Sequence, residues 1–483
     1  MEIKKPLCEA LFNYEKEKVY PLHTPGHKGG RGMDGALLAA FGEKAAAMDV
    51  SLMSELDDLH RPEGCLREAQ SLAAELYGSD RCFFAVNGTT EAIHAMLISA
   101  LKPGERLLIP RNAHRAVAGG LVLGGLEAAF LPPEYDDNFG ISTQIDPEAI
   151  KKALEADAAI KAVLVTSPNY YGLAADIKAI AEIAHSHNAV LLVDEAHGAH
   201  LGFSTMLPPS ALQCGADACA QSTHKTLGAL TQCSMLQVQG GRIDLRKASA
   251  AMSLLTSTSP NYLLLASLDA ARAQLAAQGK EMAEAALTVA ARLRQSLKEI
   301  EGLELLDERI MSRKEVAGFD GTKVTVKVSG LGITGVEAGA VLRENGLAVE
   351  LVDQNNVLFL LTYADSNPEF ASVIQKINEV FRKIQKKKLP PLPSSIKYDL
   401  PAAQQLLPVR EAFYAEAEEV GFLEAIGRIA AEQVSFYPPG IPVILPGEKL
   451  SAEIISYCQR MLALGLPVSG PQDASLAKIQ VVK

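Results

Sequence analysis

Between about residues 70 and 260 the chain repeats one pattern, and that pattern decides what it can fold into. Short β-rich apolar runs lie at 82–86, 106–109, 162–166, 190–193 and 235–238, and helix-like stretches lie between them at 91–101, 147–155 and 177–187. Runs that are apolar throughout belong in a sheet covered on both faces, and helix-length connections bring successive strands in parallel. The expected fold class is therefore α/β, with a mostly parallel sheet and helices on both faces. Such sheets bind their ligands beyond the carboxyl ends of the strands. Residues that carry chemistry should lie in the loops directly after each run.

The flanking segments differ in character. Residues 1–70 are irregular and rich in turn formers, notably from Pro21 to Gly30. The α/β region is taken as 71–300 and includes an Ala/Leu-rich helical stretch from 261 that Gly279 is expected to break. Residues 301–388 mix predicted strands at 323–328, 347–352 and 357–361 with helices at 335–345 and 367–385, as in a smaller α+β domain. A lysine- and proline-bearing stretch at 386–395 reads as a linker. It leads into a C-terminal domain, the boundary being set at 389–483.

Charge and composition exclude several classes. With 46 Lys+Arg against 57 Asp+Glu the net charge is −11, which argues against nucleic-acid binding by bulk charge. No run approaches the roughly 18 apolar residues of a membrane helix, and no apolar leader follows the N-terminus. Seven cysteines without a CxxC pair read as reduced thiols, so a cytoplasmic location is expected. No metal site is expected. His185 and His187 are two apart in a predicted helix and point to different sides, while His197 and His200 lack a third ligand nearby.

Three loops carry the chemical signals. In Val193-Asp194-Glu195-Ala196-His197 an acid leaves an apolar run. An ATPase reading of that acid requires a GxxxxGK[ST] loop, which the chain lacks, and the plain alternative is a helix cap. Gln221-Ser222-Thr223-His224-Lys225-Thr226 places a lysine in a turn after a further, apolar-polar run at 217–220. It is a candidate Schiff-base lysine or a solvated surface residue. Asn87-Gly88-Thr89-Thr90-Glu91 ends a run and opens a helix, a combination suited to a phosphate or to an ordinary capped start. Together the three supply what pyridoxal phosphate (PLP) requires: a phosphate cup, a carboxylate for the ring nitrogen and a lysine for the aldehyde. His114, in the loop after 106–109, adds a ring for stacking.

With these stand His23-Thr24-Pro25-Gly26-His27-Lys28, Leu56-Asp57-Asp58-Leu59-His60, Ser257-Thr258-Ser259-Pro260 and Tyr437-Pro438-Pro439-Gly440-Ile441-Pro442. As a set they span nearly the whole chain, which resembles the Orn/Lys/Arg decarboxylase family of fold-type-I PLP enzymes. Within it the chain is similar to the short biosynthetic arginine decarboxylases of Gram-positive bacteria. The resemblance implies that Lys225 holds the cofactor, Asp194 pairs with its ring nitrogen, His114 stacks on the ring and His197 lies at the ring edge. It implies Gly88, Thr89, Thr90, Ser222 and His224 around the phosphate, with His114 and His224 also among the catalytic group. Ser259 is implied to reach the cofactor of a neighbouring subunit, hence a homodimer or a dimer-based oligomer. The stretch ahead of His23 is too short for the N-terminal wing domain of larger family members, so assembly through that domain is not implied. Residues 1–70 are implied to line the active site.

The implied reaction is decarboxylation of a small basic amino acid, arginine first, with lysine and ornithine as alternatives and polyamine synthesis as the setting. Asp194 and Lys225 alone also fit an aminotransferase, an aldolase or a desulfurase, and a cofactor-free regulatory descendant is the non-enzymatic reading. Asp57, Asp58 and Glu63 are open to two readings, acceptors for a distal cation or solvated carboxylates and helix caps.

Overall fold

The computed structural model describes residues 3–392, 401, 403–436 and 440–483. Residues 437–439 of the Tyr437–Pro442 motif and 393–395 of the proline-bearing stretch lie outside the described residues. Seven strands make up the α/β part: β1 (Arg81–Ala85), β2 (Arg106–Pro110), β3 (Glu127–Leu131), β4 (Ile160–Thr166), β5 (Val190–Asp194), β6 (Ala218–Gln221) and β7 (Ser234–Val238). The helices used below are α1 (Cys65–Tyr77), α2 (Gly88–Ala100), α3 (Arg115–Gly124), α4 (Leu245–Leu255), α5 (Tyr262–Leu297) and α6 (Phe370–Gln385).

The chain divides into two compact units. The first comprises Met1–Ala100, Val190–Phe203 and Pro209–Glu281. Its strands follow the order β1-β7-β6-β5, with β7 antiparallel to both neighbours and β5 parallel to β6. β1, β5 and β6 thus run the same way and end at one edge, where β7 begins. All five apolar runs read from the sequence are strands, but β7 reverses direction. Only residues 222–233 connect β6 to β7, with a single helical turn at Thr223–Thr226. That is near the lower limit for a crossover between parallel strands, and the chain returns antiparallel instead. The expected break in the long helix is also present. Gln278 has φ −142° and ψ 21° inside α5, beside Gly279, where a Cβ would lie 2.7 Å from the Phe203 ring.

The second unit comprises Leu101–Ala189, Ser204–Pro208 and Met282–Lys483. It holds β4, β2 and β3 in that order, all parallel. Strand β3 has no counterpart among the apolar runs, because its Glu-Ala-Ala-Phe-Leu sequence is only half-buried. Glu304–Leu305, Lys323–Lys327, Leu351–Val352 and Asn356–Leu360 form an antiparallel sheet. The predicted strand at 347–352 is thus confined to its last two residues. Helix α6 repeats apolar residues at helical spacing and buries Ile377, Val380, Phe381 and Ile384 with Val324 and Val326 of this sheet. A further core at the C-terminus gathers Phe422, Val434, Ile444, Ile454 and Val481.

Phe381 is fully buried among aliphatic side chains. Phe381→Ala removes that burial and leaves a cavity, so urea unfolding should show a loss of about 3–5 kcal/mol. Unchanged stability would contradict this packing.

Candidate functional site

The shared carboxyl edge of β1, β5 and β6 gathers the sequence-selected residues of the first unit. Asp194 is the last residue of β5, the turn with Ser222, His224 and Lys225 follows β6, and Gly88 opens α2 just after β1. Gly88 has φ +74°, a conformation glycine adopts without penalty, and a Cβ there would meet no heavy atom within 4 Å. Its N–H donates to Gln232 O at 2.9 Å, while Glu91 Oε2 accepts from Asn87 N–H at 3.0 Å. The turn is therefore held from both sides, and the first-turn N–H groups of α2 face outward as they do at any helix start.

Beneath the turn three hydroxyls meet. Thr89 Oγ1 bonds both Ser222 Oγ and Ser234 Oγ, the latter at 2.9 Å, and all three residues are buried. This cluster ties the ends of β1 and β6 to the start of β7. Thr90, the next residue, is exposed. Thr223 Oγ1 and Thr226 Oγ1 are buried with no hydrogen-bond partner among the described residues.

The charged centre consists of Lys225, His197 and Asp194. Lys225 Nζ lies 3.0 Å from His197 Nε2. An ammonium can only donate, so the imidazole nitrogen accepts. Asp194 is 2 % exposed and, among the described residues, receives one hydrogen bond, from Ala196 N–H at 3.1 Å to Oδ1. Burial pushes its carboxyl above the usual range, and the Lys225 charge and the Ala196 N–H pull it back only in part. His224 Nδ1 sits 2.8 Å from Cys233 O and must carry a proton to bond a carbonyl. Burial lowers its pKa, and the charge of Lys225 opposes protonation further.

The other selected residues fall elsewhere. His114 belongs to the second unit and caps α3, its Nδ1 accepting from Ala116 N–H at 3.2 Å. Ser259 is exposed, with its N–H on Ser257 Oγ at 3.2 Å. His60 links two sequence motifs, with Nδ1 2.9 Å from Ser253 Oγ and Nε2 3.0 Å from Ser257 O. Asp57 favours the cap reading. Its carboxylate accepts from the N–H groups of Asp58, Glu63, Gly64, Leu66 and Arg67 at the start of α1. Burial raises its pKa, but these N–H donors outweigh it and hold the carboxyl below the usual range.

Sequence reasoning missed Ser234, Glu91 and Glu195. Ser234 joins the hydroxyl cluster from a strand whose direction was unexpected. Glu91 also accepts from Thr256 Oγ1, far along the chain. Glu195 follows Asp194 in the quoted motif, but only the fold reveals its partners: it is 1 % exposed and accepts from Ala211 N–H and Gln221 Nε2, each at 2.7 Å.

Comparison with known proteins adds the family. The model for "Orn/Lys/Arg decarboxylase, major domain" matches residues 5–369, and that for the C-terminal domain of the same family matches 400–466. The chain belongs to the Orn/Lys/Arg decarboxylase family. It is 40% identical to the arginine decarboxylase of Bacillus anthracis over 487 residues, covering 100% of this chain and 98% of that one. With the arginine decarboxylase of Bacillus subtilis it shares 41% identity, covering 99% of this chain and 98% of the relative. A crystal structure of the Francisella novicida lysine decarboxylase superposes with a TM-score of 0.83 at 23% identity, over 100% of this chain and 82% of that one. The fold is the fold-type-I architecture of PLP enzymes.

Glu195 gives the site a pH signature. Burial pushes its carboxyl up to about 7, above 4.5 for the free side chain. Between these values the unfolded chain releases the proton while the folded one keeps it, so folding stability falls as pH rises. Glu195→Gln removes that slope. From about pH 4 to about pH 8 the stability difference should move by roughly 3 kcal/mol in favour of the variant. Parallel pH–stability curves from chemical denaturation would contradict this account of Glu195.

Proposed function

We propose that the chain is a PLP-dependent decarboxylase of a basic amino acid, arginine first, releasing agmatine and CO2. The observation that carries this reading is the buried Asp194 carboxyl at the strand edge shared with Lys225, in a chain of the Orn/Lys/Arg decarboxylase family. Full-length identity of 40–41% to two arginine decarboxylases favours arginine over lysine or ornithine.

The donor set fits PLP. A buried carboxyl with one hydrogen bond is suited to a protonated ring nitrogen, which would return what burial removes. The open Gly88 turn, the first-turn N–H groups of α2, the Thr90 hydroxyl and the Ser222–Thr89 cluster suit a phosphate dianion. His224 donates Nδ1–H to Cys233 O, so its Nε2 would donate to the phosphate only in the imidazolium form, which the phosphate charge favours. In this reading His114 stacks on the ring, His197 lies at its edge and Ser259 serves the cofactor of a second subunit.

When bound, the cofactor supplies an electron sink for the pair left behind as the carboxylate departs. The protein does the rest. Asp194 keeps the ring nitrogen protonated by presenting a carboxylate that water cannot reach. His197 accepts a proton from Lys225 across their 3.0 Å contact, which frees the amine for reaction with an aldehyde. The same pair can return a proton to the carbon that has lost CO2, and a proton delivered there gives the amine product. The exposed Ser257–Ser259 segment accords with a homodimer as the working unit. We place the enzyme in the cytoplasm, in polyamine synthesis. We also propose that 1–70, 71–300, 301–388 and 389–483 act as entrance segment, cofactor domain, small domain and C-terminal domain.

The test is product identification by mass spectrometry on full-length protein supplied with PLP and equimolar arginine, lysine and ornithine. Agmatine should dominate, vanish in Lys225→Ala, and fall by roughly 10²–10³-fold in Asp194→Ala. Cadaverine or putrescine instead would transfer the assignment to lysine or ornithine. A keto acid, or no amine at all, would overturn the decarboxylase reading.

A further inference from the structure

Helix α3, which His114 caps, is gripped at both ends by the C-terminal part of the second unit. At its start Arg115 N–H donates to Gly440 O at 3.2 Å, and Arg115 Nη1 donates to Ser469 Oγ at 2.7 Å. At its end Arg410 Nη1 donates to Val122 O and Leu123 O at 3.1 and 3.2 Å, a cation on the orphan carbonyls of a helix terminus.

The strongest tie lies just ahead of His114. Arg111 is buried, and its Nη1 donates to Pro442 O at 2.6 Å. Its Nη2 donates to Val443 O at 3.0 Å and to Glu448 Oε2 at 2.9 Å. Glu448 is 1 % exposed and also accepts from Leu445 N–H at 2.7 Å. Both charges are buried, so neither tolerates loss of the other. A lysine could not replace this fork, because its single nitrogen does not span two carbonyls and a carboxylate in a plane. The loop carrying His114 therefore lies between two tethers, Arg111 and Arg115, three residues to one side and one residue to the other.

We propose that Arg111 and Glu448 are positioning residues that set the orientation of His114, so that the C-terminal domain acts on the reaction through this imidazole. The inference rests on the reading of His114 as a cofactor-stacking residue and adds what holds it in place. None of the tethering groups need touch the cofactor.

The experiment is a double-mutant cycle on full-length protein reconstituted with PLP, reading cofactor retention and the visible circular dichroism of the bound cofactor. The variants are His114→Ala, Glu448→Gln and the pair. Glu448→Gln should weaken cofactor retention about fivefold and change the dichroic band in the parent, and add nothing in the His114→Ala background. Ser469→Ala releases the exposed tether on Arg115 and should act in the same direction where Glu448→Gln does not fold. Equal losses in both backgrounds, or a dichroic band unmoved by either tether variant, would overturn the positioning role while leaving the cofactor assignment intact. A parent protein that binds no PLP would overturn both.

Discussion

The site depends on placing a carboxyl group at the end of a buried strand, where solvent cannot stabilise its charge. Asp194 receives one backbone hydrogen bond, and the Lys225 charge does not fully offset its burial. A buried acid in that condition favours a cation brought to it, as a protonated ring nitrogen would be. The parallel ends of β1, β5 and β6 are what bring a lysine, an acid and a helix start to one place. Moving Asp194 by one residue along β5 would turn its side chain to the opposite face.

Support for this edge comes from hydrogen bonds between the elements that meet there. The Thr89–Ser222–Ser234 cluster holds three strand termini together, and Glu91 holds the Gly88 turn through Asn87 N–H. Glu195, directly after Asp194, is occupied by Ala211 and Gln221. Adjacent acids thus take opposite assignments, one fully engaged in the frame and one left with capacity for a ligand.

Much of this was legible in the sequence because strand ends and loops follow from local pattern. The runs marked β1, β2, β4, β5, β6 and β7, and the motifs at or after their ends marked Gly88, Asp194 and Lys225. Pattern could not give the direction of β7, which depends on how short the 222–233 connection is once folded. It also missed β3, whose alanines carry little strand signal. Ser234 escaped notice because its role comes from Thr89, 145 residues away. Asp57 illustrates the same limit. As a sequence it is an acid in a motif, and only the fold shows its oxygens occupied by five N–H groups of the following turn and helix.

The central claim is that Lys225, beside Asp194 and His197, is the residue that holds PLP. Borohydride reduction of the reconstituted protein, followed by peptide mass spectrometry, reads this directly, because reduction fixes the cofactor on the lysine that carries it. The account predicts one modified lysine per chain, in the peptide containing His224 and Lys225. A label on another lysine, or no label on protein that retains PLP, would contradict it.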